Sequence, residues 1–272
     1  MSELNTVVIV GSSLAGLRAA ETLRLEKYEG RIIIVGAEDR QPYDRPPLSK
    51  KVLSGEWEAD RISLRKPDDL AKLNIDWKLG SAATALDTTN HTITLASGET
   101  IAFDGLIIAT GSGVRKLPNQ PDWNGVHVVR TLDDSLALRA NLNPGARVVV
   151  IGAGFIGLEV AATAKVRGCE VTVLEGAPAP MMRGLGADMG HAAALVHADN
   201  GVTMRFNVKV AGLIEGNSGS VGGVALDDGV VVPADVVVVG IGVVPATQWL
   251  ENTELEIRDG VVCDTTLNAG VP

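Results

Sequence analysis

Two stretches of the chain carry the same hydrophobic pattern. The first opens with VVIVGSSLAGLRAAETLR at Val7 and the second with VVVIGAGFIGLEVAATAKVRG at Val148. Each starts with a short unbroken apolar run, which predicts a strand buried on both faces. A glycine-rich turn follows, and then an Ala- and Leu-rich stretch that predicts a helix. A second apolar run then ends near an acid, in RIIIVGAE from Arg31 and EVTVLE from Glu170. Farther along, TITLASGETIAFDGLIIATGS around Gly98 predicts a hairpin with a Ser-Gly turn and then a buried strand. VALDDGVVVPADVVVVGIG around Gly229 predicts the same with an Asp-Gly turn. Gly98 stands to Asp104 as Gly229 stands to Asp235, and Gly111 matches Gly242. One glycine motif is weak evidence, but a whole unit recurring in order is an internal duplication.

The pattern predicts an α/β protein of two Rossmann-like dinucleotide-binding modules, each with an added β-hairpin. Three segments fall outside the repeat. Residues 39–80 are a polar excursion containing RQPYDRPPLSK, residues 112–147 connect the modules with Pro118, Pro121 and Pro144 as punctuation, and residues 243–272 follow the second module. A length of 272 residues has room for two domains of about 150 residues each. Only 3% of residues are aromatic against 46% hydrophobic, so the core is built from Val, Ile, Leu and Ala, which suits parallel sheets.

A net charge of −9 without any basic run argues against nucleic acid or an anionic membrane as partner. Met1 to Thr6 lack the positive start of a signal peptide. The longest apolar runs are broken by Glu159, Pro233 and Asp235 before they reach about 18 residues, so the expected location is the cytoplasm. Cys169 and Cys263 are far apart and form no CxxC, so neither a disulfide framework nor a metal site is expected. His91, His127, His191 and His197 show no metal-ligand spacing, and no catalytic role is assigned to them.

In the second module Gly152, Gly154 and Gly157 form a full G-x-G-x-x-G, enclosing Phe155 and Ile156, between predicted strand and helix. The first glycine allows a tight turn, the second lets a pyrophosphate approach the backbone, and the third lets the helix pack on the strand. Free N–H groups and the positive helix end then hold the phosphates. Glu175 ends the next strand 18 residues after Gly157, where an acid binds a ribose 2′-hydroxyl and opposes a 2′-phosphate. No arginine follows before Arg183, so NADH is favoured over NADPH. The first module departs from the motif: Gly11-Ser-Ser13-Leu14-Ala15-Gly16 has Ser13 in place of the second glycine. A side chain there crowds a pyrophosphate, although its hydroxyl can also donate to one. The turn is therefore either a phosphate site or a purely structural strand-to-helix turn. Glu38 arrives late after Ala37 and reads either as a ribose ligand or as a solvated acid at a strand end.

The motifs VVIVGxxLAG, PYDRPPLSK, IIATGS, RTLDD, VVVIGAGFIGLEVA and VVGIGVVP occur in this order. In them the chain resembles the single-flavin NADH:ferredoxin reductases of bacterial oxygenase systems, of the putidaredoxin and rubredoxin reductase type. The resemblance covers essentially the whole sequence. It implies a glutathione-reductase-like fold with an FAD module at 1–113 and an NAD module at 114–243. It also implies a return segment at 244–272 that is cut short, and a C-terminal α+β domain that the sequence lacks. FAD would lie at the Gly11–Gly16 turn beside Ala15, with Arg45, Pro46 and Lys50 along the flavin and its phosphates. Ala83 would meet the adenine, Ala109, Thr110 and Gly111 would line the cofactor, and Arg130 would complete the contacts. On the nicotinamide side the resemblance implicates Gly154, Ile156, Glu159, Glu175 and the Gly240-Ile241-Gly242 strand end. Where the family often carries Asp beside its ribose contact, this chain has Ala37.

The implied reaction passes hydride from NADH to FAD, and then single electrons to a ferredoxin or rubredoxin. Lys50 is a candidate to stabilise charge on reduced flavin, with Glu159 as its partner in a partly dry site. The plainer alternatives are a solvated lysine after a proline loop and an acid favoured by the helix dipole. Without a close cysteine pair, a dithiol relay is not expected. An NADH oxidase or nitrite-reductase-type acceptor specificity is the alternative within the same fold, and a redox-sensing flavoprotein or an inactive fragment is the non-enzyme alternative.

Overall fold

The computed structural model describes residues 4–270, and the chain divides into two compact units. The first comprises residues up to Asp44, Ser63–Gly113 and the stretch from Val244 onward, and the second Arg45–Ile62 and Val114–Val243. Among the described residues no helix is long and apolar enough to cross a membrane.

In the first unit, β1 (Thr6–Val10) leads into α1 (Leu14–Leu25) and β2 (Arg31–Val35). β3 (Ile75–Lys78) follows, then β4 (Ala83–Asp87), β5 (Thr92–Leu95), β6 (Thr100–Ala102) and β7 (Gly105–Ile108). The main sheet has the order β3-β2-β1-β7, and every pairing in it is parallel. Successive side chains of β1 point to opposite faces. Val7 and Ile9 pack toward Ala20 and Leu23 of α1, while Val8 and Val10 pack toward Ile93, Leu95, Trp249 and Leu250. Both faces are covered, which is why the strand reads as an unbroken apolar run.

The second unit repeats this plan. It contains β8 (Val126–His127), α2 (Leu132–Asn141), β9 (Arg147–Ile151), α3 (Phe155–Val166) and β10 (Glu170–Leu174). These are followed by α4 (Met182–Asp199), β11 (Thr203–Arg205), β12 (Val210–Glu215), β13 (Val221–Leu226), β14 (Val231–Pro233) and β15 (Val236–Val239). The parallel sheet runs β11-β10-β9-β15-β8. The duplication extends to side chains: Asp104 accepts the Thr6 N–H at 2.8 Å, and Asp235 accepts the Arg147 N–H at 2.9 Å. In each unit an acid just before the last strand pins the start of the first.

The structure differs from the sequence reading in two places. Each predicted hairpin is a three-stranded antiparallel sheet, because β4 pairs with β5 and β12 pairs with β13. The sequence ATALD of β4 has little strand character, and pairing along β5 overrides it. Second, a continuous module over 1–113 is interrupted, because residues 45–62 cluster with the second unit. Leu48, Val52 and Leu53 are buried there. Buried hydroxyls hold the segment: Ser135 donates to the Leu48 carbonyl at 2.6 Å, and Thr163 to the Ser49 carbonyl at 2.8 Å. Arg167 reaches the Ser54 carbonyl at 3.0 Å. A polar segment that buries a few apolar side chains between polar anchors packs where its partners are, whatever its place in the sequence.

Candidate functional site

Both sheets reverse their strand order beside the strand that leads into the glycine turn, at β1/β7 and at β9/β15. Such switch points open a crevice at the carboxyl ends of the strands, where open α/β sheets bind ligands. The glycine turns sit there, and the two have the same internal geometry. A Cβ on Gly11 would lie 2.1 Å from the Ala109 carbonyl oxygen, and one on Gly152 would lie 2.4 Å from that of Gly240. A Cβ on Gly16 would meet the Gly11 oxygen at 1.9 Å, and one on Gly157 the Gly152 oxygen at 2.2 Å. Gly11 and Gly152 also have φ of +122° and +99°. These four glycines are required by the chain's own backbone.

Gly154 is different. It caps α3 with φ of −74° and ψ of 179°, a conformation open to any residue, and a Cβ built there meets no atom within 4 Å. Nothing among the described residues demands a glycine there, and the space above the backbone is open. Ser13 holds the equivalent place before α1, with φ of −93°. The first turn therefore offers a hydroxyl where the second offers bare backbone.

The second turn opens onto a cavity of about 970 Å3. Of the residues singled out from the sequence, Arg130, Gly152, Gly154, Phe155, Ile156, Gly157, Glu175, Arg183, Gly240, Ile241 and Gly242 line it. The wall carries three cations, Arg130, Arg183 and Lys209, against one carboxylate, Glu175, in a chain of net charge −9. Glu175 accepts the Ala153 N–H at 2.6 Å and the Ala177 N–H at 2.9 Å, so its carboxylate is tied to the turn. Met181, Asn207 and Lys209 also line the cavity, and the sequence reading missed them. Met181 (φ +53°) and Asn207 (φ +55°) are left-handed, and the Met181 N–H bonds the Ala153 carbonyl at 3.0 Å. No periodic signal marks a loop residue brought in by a neighbouring strand.

Lys50 and Glu159 meet within the second unit, with Nζ 2.7 Å from Oε2. The Ser49 hydroxyl donates to the same oxygen at 2.5 Å. The side chains are 45% exposed for Lys50 and 37% for Glu159. Charges so exposed are screened by water and add little to stability. Ser49 is clasped from both sides by α3, since Glu159 and Thr163 lie one turn apart and take its hydroxyl and its carbonyl. The Arg45 guanidinium donates to the Arg130 carbonyl at 2.6 Å, and Pro46 opens a short helical turn ending at Ser49. In RTLDD, Thr131 and Asp134 form a capping box for α2.

In the first unit, Leu14 and Ala15 are exposed at the start of α1, and Ala37 is exposed past the end of β2. The Glu38 carboxylate accepts a 2.5 Å bond from the buried Tyr43 hydroxyl, so it is held rather than free in solvent. Ala83 lies at the start of β4, paired with Leu95. The Thr110 hydroxyl donates to the Ala246 carbonyl at 2.8 Å, and the Gly111 carbonyl accepts the Ala246 N–H at 2.9 Å. These two residues therefore fasten the segment after Val244 to the end of β7. Among the described residues no group of three or more His, Cys, Asp or Glu side chains is placed to hold a metal ion. Cys169 is buried, with its thiol pKa pushed up by desolvation, and Cys263 is exposed.

The family model described as pyridine nucleotide-disulphide oxidoreductase matches residues 5–272. The chain is 39% identical over 264 residues to rhodocoxin reductase of Rhodococcus erythropolis, covering 96% of this chain and 61% of the relative. It is 36% identical over 271 residues to the ferredoxin–NAD(+) reductase component of the p-cumate 2,3-dioxygenase system of Pseudomonas putida, covering 99% and 66%. The crystal structure of the covalent putidaredoxin reductase–putidaredoxin complex superposes with a TM-score of 0.95 at 34% identity, over 98% of this chain and 66% of that one. The chain thus spans less than two thirds of the length of these relatives.

Proposed function

We propose, for a chain that belongs to the pyridine nucleotide-disulphide oxidoreductase family, that it is the dinucleotide-binding portion of a cytoplasmic NADH-dependent flavoprotein reductase serving a ferredoxin or rubredoxin. The observation that carries this reading is Gly154, whose missing side chain leaves space no protein atom uses, above the amide groups of an uncapped twelve-residue helix. That is the arrangement a pyrophosphate needs. The resemblance to reductases of oxygenase systems supports the acceptor class.

In this reading, NADH lies in the cavity with its pyrophosphate over Gly152–Gly157 and its adenosine ribose at Glu175. FAD lies at the first turn, where the Ser13 hydroxyl takes the place of bare backbone, with Glu38 as the candidate ribose ligand. The chemistry that bound FAD supplies is two-electron acceptance from NADH and one-electron release to an iron–sulfur acceptor. The chain's part is to bind, orient and tune. Gly240 to Gly242 bound the crevice floor, and the α3 helix end holds negative charge. Lys50, held by Glu159, is the candidate cation for negative charge that develops on reduction.

The test is spectroscopic. The purified chain, reconstituted with FAD, is expected to show flavin absorbance that bleaches on NADH addition, and to turn over with a ferredoxin or cytochrome c. Lys50→Met and Glu159→Ala are expected to slow that bleaching in stopped flow. A protein that binds neither dinucleotide would sink the reading, and unchanged rates in both variants would remove the pair from it.

A further inference from the structure

The strand β11 carries a residue to the cavity that the glycine motif does not announce. After Arg205 the chain runs along the far edge of the Glu175–Ala177 segment. The Val208 N–H bonds the Glu175 carbonyl at 3.1 Å, and the Asn207 N–H bonds the Ala177 carbonyl at 3.2 Å. Lys209 comes next, its own carbonyl fixed by the Asp227 N–H at 3.0 Å, and it lines the same cavity as Glu175. Among the described residues no carboxylate pairs with its ammonium group.

Of the two other cations on this wall, Arg130 and Arg183, the second is the one beside the glycine turn. Arg183 lies in the first turn of α4, two residues beyond Met181, whose N–H is bonded to Ala153 inside the glycine turn. Its backbone thus lies close to the glycine turn, the part of the cavity common to every nicotinamide dinucleotide. Lys209 follows Val208, whose N–H bonds the Glu175 carbonyl, so its backbone lies beside the acid expected at the adenosine ribose. An acid at this place is the feature that opposes a 2′-phosphate. Here both Glu175 oxygens already accept backbone N–H groups, which partly offset their charge toward an incoming anion.

We propose that Lys209 is a specificity-determining residue that lets the cavity accept NADPH as well as NADH, acting as counter-ion to the 2′-phosphate. This rests on the reading of the cavity as the dinucleotide site and widens its substrate class. Lys209 supplies a charge-assisted hydrogen bond to a phosphate that carries close to two negative charges. NADH has a plain hydroxyl there and does not need it. Glu175 keeps NADH the tighter ligand.

Isothermal titration of the purified chain with NADH and NADPH, without added flavin, tests this. NADPH is expected to bind within about tenfold of NADH. Lys209→Gln is expected to weaken NADPH about tenfold, the size of one charge-assisted hydrogen bond, and to leave NADH within about twofold. Lys209→Arg, which keeps the charge, is expected to retain most NADPH binding, and Arg183→Gln is expected to weaken both ligands together. Lys209 is exposed, so an unchanged melting curve identifies a folded variant, and Lys209→Arg serves if Lys209→Gln does not fold. NADPH binding more than about a hundredfold weaker than NADH in the unaltered chain overturns the proposal. So does a Lys209→Gln variant that shifts both ligands equally, or neither. If neither dinucleotide binds, the reading of the cavity fails, and the assignment of Lys209 with it.

Discussion

Gly154 and Gly157 stand three residues apart in one motif, and their substitution by alanine is expected to separate fold from ligand. At Gly157 the new Cβ would sit 2.2 Å from the Gly152 carbonyl oxygen and 3.3 Å from a Val150 methyl. Both the helix and the turn are backbone, so neither yields by a rotamer change. Overpacking of that kind costs about 3 kcal/mol or somewhat more. For a chain of this size each kcal/mol lowers the melting temperature by roughly 2–4 °C, so Gly157→Ala is expected to melt roughly 6–12 °C lower. At Gly154 the Cβ meets nothing within 4 Å and φ is −74°. The lower entropy of the unfolded chain adds about 0.4–1 kcal/mol, and the poorer helix cap removes several tenths, so the two nearly cancel. Gly154→Ala is expected to melt within about 2 °C of the unaltered protein, yet to bind NADH at least about tenfold more weakly. Thermal melting followed by circular dichroism and titration calorimetry measure both effects. A Gly154→Ala protein that melts as low as Gly157→Ala, or that binds NADH normally, would refute the reasoning.

Three further outcomes follow from the packing. Ser135→Ala leaves the buried Leu48 carbonyl without its 2.6 Å donor and is expected to cost about 1–3 kcal/mol in chemical denaturation. Faster proteolysis within residues 45–62 would accompany it, and an unchanged denaturation midpoint would count against the clamp. His127 is pushed down from its ordinary pKa by burial, against a smaller upward pull from Asp134. Its folded value lies below its unfolded one, so its contribution is present above the unfolded pKa and is lost as pH falls through the folded value. His127→Gln should therefore flatten the fall in stability below about pH 6.5, and equal slopes for the two proteins would contradict this. The Arg147 guanidinium holds the Asp235 carboxyl below the usual carboxylate range, chiefly through their hydrogen bonds. Asp235→Asn should remove the part of acid sensitivity that appears as pH falls below that range. The effect is small because the pair is half exposed, and it is read from melting temperatures between pH 5 and 2.

Much of this architecture is legible in the order of residues alone. Unbroken apolar runs at Val7 and Val148 mean strands covered on both faces, and their glycine turns mean a backbone that must fold back sharply at φ values closed to other residues. The repetition of the whole series, down to Asp104 and Asp235, identifies two copies of one unit, because each acid closes the same local circuit of hydrogen bonds. These features are local or periodic, and local sterics and hydrophobic patterning are what a sequence displays. The tertiary structure decided the rest. It separated the glycines that the backbone requires from Gly154, which the backbone leaves open, since that distinction depends on atoms distant in sequence. It assigned residues 45–62 to the second unit, through Ser135, Thr163 and Arg167 on helices more than 70 residues away. It paired Lys50 with Glu159 and brought Met181, Asn207 and Lys209 to the cavity wall. A crevice is made where parallel strands end side by side, so its walls belong to several loops at once, and no single stretch of sequence records their meeting.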